Sequence, residues 1–455
     1  MNGKDVVLLL PGQGAYLPDA MPRLAARHPE VAAVVGEVDA ACVSDGMKPV
    51  SDVLLAEAPP TLDALMTDDP EMLQLALYAS NLAMHRLLTR AGVRPALLVG
   101  HSLGEISALV AAGAFDVADG TRIMIERNRA LRGVREPGGM TALGASAERA
   151  AALVALVDDP GLVVAVENAP RQTVLSGPVA ALEKAEALAG ALGITATRFR
   201  APFAFHNPAL AAAASGFTAA VRGLQRPIRT PVFSPILGRA YSDADDLAAL
   251  LGSHLTVPVR FLDALRSLHA RGADVYVECG ARAALTGLVR ATLPDVTALA
   301  CADGLQDPQR SFAQVVQRLS EKTALEVTED AGAEPSAPVR SEPAEPPVTH
   351  AVPDAGPPEP DTAPAPAGNL DRDAVVLALR EFYALTLEYP VDVVEEDAEL
   401  EADLGVDSLK QTELLRQVAE RYGIDGAEEG FRIGDAATLG RLADLIVRTA
   451  PAAAA

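Results

Sequence analysis

Between residues 331 and 368 the chain holds 11 of its 34 prolines, mixed with Ala, Glu and Gly and almost without large apolar side chains. Such a stretch cannot bury enough apolar surface to offset the entropy of ordering it, and proline removes backbone donors that helices and sheets need. One core therefore cannot run through all 455 residues. The expectation is two bodies joined by a disordered linker over 326–368. The first spans 1–325, the second 369–448, and a short tail follows at 449–455.

Charge is divided as unevenly as proline. The formal net charge is −23. From Asn369 onward 19 acidic side chains face 8 basic ones, a net of −11, and residues 326–368 add −8. About −4 is left for the first 325 residues, so the acidity belongs to the C-terminal part. An acidic chain with no Trp and only 4% aromatic residues repels phosphate backbones and offers few stacking platforms, which argues against nucleic acid. Hydrophobic residues at 49% are enough to fill a real core. Cys42, Cys279 and Cys301 lie far apart with no metal-ligand spacing, so no metal is expected and a reduced, cytoplasmic setting fits. No apolar run approaches the length of a membrane span, and the run at 6–10 is too short for a signal peptide.

Before the linker, short apolar runs alternate with helical patterns, as in an α/β domain. Residues 6–10 read as a buried strand ending in Pro11-Gly12-Gln13-Gly14; 71–90 as a helix, 96–99 as a strand and 105–112 as the next helix. Residues 139–203 follow a different rhythm. Strand 140–143, helix 147–156, strands 162–166 and 173–175, helix 179–192 and strand 194–199 give the order βαββαβ. That is the ferredoxin-like arrangement, read as a subdomain inserted into the larger body, which resumes with a strand at 274–278. After the linker, 371–387, 408–422 and 439–448 read as helices around an acidic loop at 390–401, a small all-α bundle.

Gly100-His101-Ser102-Leu103-Gly104 follows a short apolar strand and leads directly into a helix. That is the setting of a G-x-S-x-G nucleophile elbow. The glycines permit a turn tight enough to lift the serine hydroxyl out at the helix N-terminus, where the Leu103 N–H is free and the helix dipole favours an oxyanion. The plainer alternative is a glycine-rich turn that only joins strand to helix.

A serine nucleophile needs a base, normally histidine, and the chain has seven. His350 lies in the linker and His101 inside the elbow. His85 and His269 fall in helical patterns and His28 in a Pro-flanked surface segment. His206, in Ala201-Pro202-Phe203-Ala204-Phe205-His206-Asn207-Pro208, lies where the insertion rejoins the body, and His254 precedes Pro258-Val259-Arg260-Phe261. Pattern alone does not choose between these two.

Pro11-Gly12-Gln13-Gly14, Gly100-His101-Ser102-Leu103-Gly104-Glu105 and Phe203-Ala204-Phe205-His206 together resemble the malonyl-CoA:acyl-carrier-protein transacylases and the acyltransferase domains of polyketide and fatty acid synthases. The resemblance covers about residues 4–320, insertion included. It implies a hydrolase-like α/β body with a Ser102–His206 dyad, an oxyanion hole made by the N–H groups of Gln13 and Leu103, and Gln74 lining the pocket. In that family a backbone carbonyl orients the histidine. The matching position is His254, where an amide residue is more usual. Glu278-Cys279-Gly280-Ala281 stands where the family usually has a Gly-Pro pair.

Ser, His and an oxyanion hole would serve a hydrolase equally well, and the discriminating residue is Arg127, 25 residues after Ser102. In the resembled family an Arg at this spacing pairs with the free carboxylate of malonyl-type substrates. A guanidinium grips a carboxylate bidentately and holds the acyl group in one pose. Without the family spacing, a solvated Arg on an Arg-rich helix face would be the reading. A bulky Phe205 just before the histidine resembles the malonyl-selecting pattern, whereas a small Ser accompanies methylmalonyl; Phe203, where many synthase domains have His, is a departure.

Asp403-Leu404-Gly405-Val406-Asp407-Ser408-Leu409 sits after the acidic loop at the start of an expected helix. It resembles the phosphopantetheine attachment site of acyl carrier proteins, with Ser408 as the modified residue, and the match covers about 370–448. It implies 4′-phosphopantetheine as the covalent cofactor and a phosphopantetheinyl transferase as a partner, while the acidic surface attracts basic partners. An N-capping Ser in an ordinary bundle is the plainer alternative. Together the two resemblances imply an acyltransferase fused to its own carrier. It would move malonyl from malonyl-CoA to an acyl carrier protein, its own or a separate one, alongside synthase partners. The alternatives are an acyl-carrier hydrolase and a non-catalytic docking module.

Overall fold

The computed structural model describes residues 6–135, 138–304 and 307–330, then 372–387, 438–449 and positions 394, 396, 400, 414, 415, 418 and 422. The chain divides into two compact units, one up to Leu319 and one from Ser320.

The first unit is built on a six-stranded sheet. Its strands are Val6–Leu10 (β1), Leu97–Gly100 (β2), Val232–Ser234 (β7), Arg239–Ala240 (β8), Val275–Ala281 (β10) and Thr297–Ala302 (β11), in the order β11-β10-β1-β2-β7-β8. All neighbours up to β7 are parallel, and β8 turns back antiparallel at the edge. A parallel strand is covered on both faces, so it reads as an unbroken apolar run; Val7 to Leu10 are all fully buried. The Pro70–Arg90 helix lies against β10 and is buried over most of its length. Asp69 starts it, accepting from the Met72 N–H at 3.1 Å with Pro70 at the first helical position.

The insertion forms a second sheet from Gly139–Leu143 (β3), Val163–Ala169 (β4), Gln172–Gly177 (β5) and Ala196–Phe199 (β6), with the helices Ala147–Val157 and Val179–Ala191 between them. The order β6-β3-β5-β4 is that of a ferredoxin-like unit. It has its own core around Leu143, Leu153, Leu162, Leu175 and Leu182. A fifth strand, Val259–Arg260 (β9), comes from the chain after the insertion and lies parallel to β4, with Val259 opposite Val166. Two residues carry no periodicity, so the sequence does not announce it.

The helix that follows β11 runs Pro308–Asp330, past the division at Leu319 and five residues into the stretch expected as linker. No Gly or Pro interrupts residues 309–330, so nothing in the composition stops the helix at 325. In the second unit, the helices Arg372–Leu387 and Leu439–Thr449 pack with Leu414, Leu415 and Val418 around Tyr383 and Leu442. Arg372 pairs with Asp444 and Glu396, both at 2.6 Å, and Thr438 Oγ1 accepts the Arg441 N–H at the start of the last helix. The linker from 331, most of the helix expected over 408–422, and Ser408 with its motif lie outside the described residues.

Candidate active site

β1 and β2 run side by side with Leu10 opposite Gly100, so the Pro11–Gly14 turn and the elbow leave the same carboxyl edge of the sheet. Ligands of open α/β sheets bind at that edge. A Cβ on Gly104 would stand 1.9 Å from the Leu10 carbonyl oxygen, and one on Gly100 would stand 2.2 Å from the Glu105 backbone. Only glycine lets the Gly104–Ala111 helix start this close to the strands. A Cβ on Gly12 would lie 2.8 Å from the His101 carbonyl and 3.7 Å from the Leu103 nitrogen, so the turn rests on the elbow. Between the two elbow glycines Ser102 has φ +54°, a left-handed backbone that a serine holds only under constraint.

His206 arrives from the other direction, where the chain leaves the insertion, and it too is left-handed, with φ +58°. Asn207 fixes this return, donating through Nδ2 to the carbonyls of Gly161 at 2.8 Å and Ser176 at 3.0 Å. His206 Nε2 is 2.8 Å from Ser102 Oγ, and His206 Nδ1 is 3.0 Å from the Val257 carbonyl oxygen. A carbonyl only accepts, so Nδ1 carries the proton and Nε2 is left free to accept from the serine hydroxyl. Burial pushes His206 down to about 3, against the opposing pull of that carbonyl, so the ring is neutral at physiological pH and its Nε2 lone pair is unprotonated. The expected anchor was the backbone at His254. It supplies only a lesser contact, and the main acceptor is Val257, three residues on. The His254 ring instead bonds the Tyr241 hydroxyl at 2.8 Å.

Arg127, Gln74 and Phe205 come together from three elements. Arg127, on the Val117–Arg132 helix, is 6% exposed. It donates through Nη1 to Gln74 Oε1, and its guanidinium carbon stands 4.9 Å from the Phe205 ring centre. Phe203 packs edge-on against Phe205 at 5.8 Å. Desolvation lowers Arg127 to about 10, which still leaves a cation at neutral pH. Among the described residues no carboxylate pairs with it. Beside this cluster a cavity of about 280 Å³ is lined by Gln13, Met66, Leu73, Gln74, Arg200 and Pro202. Gln13 reaches across it to donate to the Arg200 carbonyl at 3.1 Å.

The other histidines lie elsewhere. His85 is a buried helix residue held down to about 4, His28 stacks edge-on against Phe312, and His269 bonds the Ala273 carbonyl. His101 Nε2 bonds Asn168 Oδ1 on β4 at 2.7 Å, tying the elbow to the insertion. Among the functional groups the sequence reading missed, Asn207 adjoins the candidate base and Glu105 lies in the elbow motif itself, so both were within reach. Val257 contributes only main chain and leaves no residue-type signal.

A serine elbow on a parallel sheet, facing a buried histidine, places the chain as a class among proteins that handle acyl groups covalently. The chain belongs to the acyl transferase domain family, which matches residues 7–329. Residues 378–446 match the phosphopantetheine attachment site family, so the second domain is of the kind that carries covalently attached 4′-phosphopantetheine. Among curated relatives, polyketide synthase GfsA of Streptomyces halstedii is 33% identical over 288 residues, 62% of this chain and 4% of that protein. Spectinabilin polyketide synthase system protein NorB of Streptomyces orinoci is 30% identical over 292 residues, 64% of this chain and 13% of that protein. The chain thus spans less than a fifth of either relative. The crystal structure of a malonyl CoA-acyl carrier protein transacylase from Clostridium perfringens superposes with a TM-score of 0.64 at 25% identity, over 71% of this chain and 99% of that one. A loading acyltransferase from the avermectin modular polyketide synthase gives 0.63 at 26% identity, over 69% and 99%. No described helix is long and apolar enough to cross a membrane.

Proposed function

We propose that this chain transfers a malonyl group from malonyl-CoA, through an ester on Ser102, to the thiol of an acyl carrier, its own or a separate one, in polyketide or fatty acid biosynthesis. The observation that carries the reading is Arg127: a buried cation, steadied by Gln74 and the Phe205 face, with no carboxylate partner among the described residues. A malonyl carboxylate would meet that cation in a charge-assisted, bidentate contact. A monocarboxylic acyl chain would leave the guanidinium desolvated and unpaired.

In the first half-reaction Ser102 Oγ attacks the thioester carbon while His206 Nε2 takes its proton, with the Val257 carbonyl holding Nδ1–H. The N–H groups of Gln13 and Leu103 take the oxyanion. His206 then returns the proton to the departing CoA sulfur. In the second half His206 Nε2 removes the proton of the carrier thiol, whose sulfur attacks the Ser102 ester, and gives it back to Ser102 Oγ. Phe205 fills the volume that a branch on the α-carbon would need. The 4′-phosphopantetheine, attached at Ser408 in this proposal by a phosphopantetheinyl transferase, supplies the thiol on a long arm.

Intact-protein mass spectrometry of the phosphopantetheinylated chain with malonyl-, methylmalonyl- and acetyl-CoA tests this. Malonyl should add to both domains; Ser102→Ala should lose the gain on residues 1–325, and Ser408→Ala only the gain on the carrier. Malonylation of residues 1–325 in Ser102→Ala would refute the nucleophile.

A further inference from the structure

Tyr241 Oη stands 2.6 Å from Glu105 Oε2 and 2.8 Å from His254 Nε2, and those two outer atoms are 3.4 Å apart. All three residues are buried, Glu105 completely. Each end of this short chain is tied to one half of the serine–histidine pair. Glu105 sits in the first turn of the elbow helix, three residues after Ser102, and its N–H donates to the Ser102 carbonyl at 3.0 Å. His254 closes the Leu247–Ser253 helix and opens the segment that reaches Val257, whose carbonyl holds His206. Tyr241 in the middle is itself anchored to the sheet, its N–H donating to the Val232 carbonyl at 2.9 Å.

We propose that Glu105, Tyr241 and His254 are positioning residues that set the distance between the serine elbow and the segment that holds the histidine. Through them Ser102 Oγ and His206 Nε2 stay at bonding distance. The inference rests on the assignment of those two residues as nucleophile and base. Main chain ties the two halves only indirectly, through the Arg260 N–H on the Pro235 carbonyl at 3.1 Å beyond β7 and the Asn207 N–H on the Leu255 carbonyl at 3.1 Å, whereas these side chains join the elbow helix to His254 directly.

The protons can be accounted for in two ways. Tyr241 has one proton for two neighbours. With Glu105 ionised, Tyr241 donates to Oε2 and His254 donates its Nε2–H to Tyr241. With Glu105 protonated, its O–H donates to Tyr241, which donates to Nε2 of the other His254 tautomer. Burial raises Glu105 to about 8 and lowers His254 to about 3, so His254 is neutral and the chain closes in either state. The groups that face it are Ser234 beside Glu105, Asp245 acting on Tyr241, and His206 and Arg127 acting on His254. The device therefore needs hydrogen bonds and no net charge, and an amide at position 105 should serve.

The variants are Tyr241→Phe, Glu105→Leu and Glu105→Gln in the full chain. The readouts are the rate at which a serine-directed fluorophosphonate labels Ser102, kcat and KM for malonyl-CoA, and the thermal midpoint. Tyr241→Phe and Glu105→Leu should each slow labelling and kcat about tenfold, the worth of one lost hydrogen bond. KM should stay within about twofold, and Glu105→Gln within about threefold of wild type in rate. A folded Tyr241→Phe that labels at the wild-type rate, or differs only in thermal midpoint, overturns the proposal. So does a Glu105→Gln as slow as Glu105→Leu. Absence of labelling at Ser102 in the wild type would overturn the nucleophile assignment instead, so the two failures are distinguishable.

Discussion

Replacing Arg127 with Ala separates recognition of the acyl group from chemistry on it. The guanidinium is almost wholly out of water, its neighbours being the Gln74 amide and the Phe205 ring, and it stays protonated at neutral pH. A carboxylate entering such a site makes charge-assisted hydrogen bonds, each contributing about 1.5–3 kcal/mol. Taking about 3 kcal/mol for the pair, its loss should lower kcat/KM for malonyl-CoA somewhat more than about a hundredfold. Acetyl-CoA has no carboxylate to lose, so its kcat/KM should change by less than about threefold. It should tend upward, because the acetyl group no longer faces a desolvated cation. Acylation of the N-terminal domain, followed by quenched intact-mass measurement with both donors on one preparation, makes acetyl the internal control for folding. Arg127→Lys keeps the charge but loses the planar fork, and should fall between the two, about tenfold down on malonyl. Equal losses for malonyl and acetyl would show that Arg127 supports the fold and does not read the carboxylate.

Phe205→Ser should open room beside the α-carbon and raise methylmalonyl relative to malonyl acylation in a competition assay; an unchanged ratio would remove Phe205 from selection. On the proposal that residues 331–368 act as a flexible tether, a chain of that length would reach about 35 Å and would give the carrier an effective concentration approaching millimolar. Mixing Ser102→Ala with Ser408→Ala chains should therefore load the intact carrier much more slowly than wild type loads itself; equal rates that rise with protein concentration would establish loading between chains. Glu105 and Glu278 are buried with folded values raised from an ordinary 4.5 to about 8 and about 7. A raised carboxyl contributes stability that is full below 4.5 and lost as pH climbs through the folded value, about 1.4 kcal/mol per pH unit per group. Histidines with lowered values, His85, His101, His206 and His254, act in the opposite sense as their unfolded forms lose protons around and below 6.5. Stability should thus drop by about 1 kcal/mol between pH 6.5 and 8, and Glu105→Gln should abolish that drop. Identical wild-type thermal midpoints at the two pH values would contradict it.

The parts of this molecule that were legible in sequence are those where chemistry demands a residue type. Gly100 and Gly104 are visible because no Cβ fits there, and Ser102 because the elbow sets a nucleophile between them, whereas His206 was separated from His254 only by the family resemblance. β1 was legible because both faces are buried, leaving a continuous apolar run, and β10 because Val275–Val277 forms such a run ahead of Glu278. What escaped does its work through main chain or through distance. Any residue could present the carbonyl that Val257 presents to His206. β8 and β9 are two residues each, too short for any period. Tyr241 meets Glu105 across 136 residues of chain, a contact that neither local pattern contains.

Both members of the reactive pair sit at positive φ, +54° at Ser102 and +58° at His206. Glycine is the residue that adopts such a backbone freely, so the two positions on which the proposed chemistry depends are also ones where glycine would fit the backbone better. Replacing Ser102 with Gly would relieve that strain, whereas Ala keeps the Cβ that makes this backbone costly. At His206, only 3% exposed, Gly would also leave a void and an unpaired Val257 carbonyl. If a lineage stopped needing the transferase, its copies could therefore lose the serine with little folding defect to purge them, while the histidine would still be held by packing. Selection on turnover alone, and not on foldedness, would have to keep Ser102 in place.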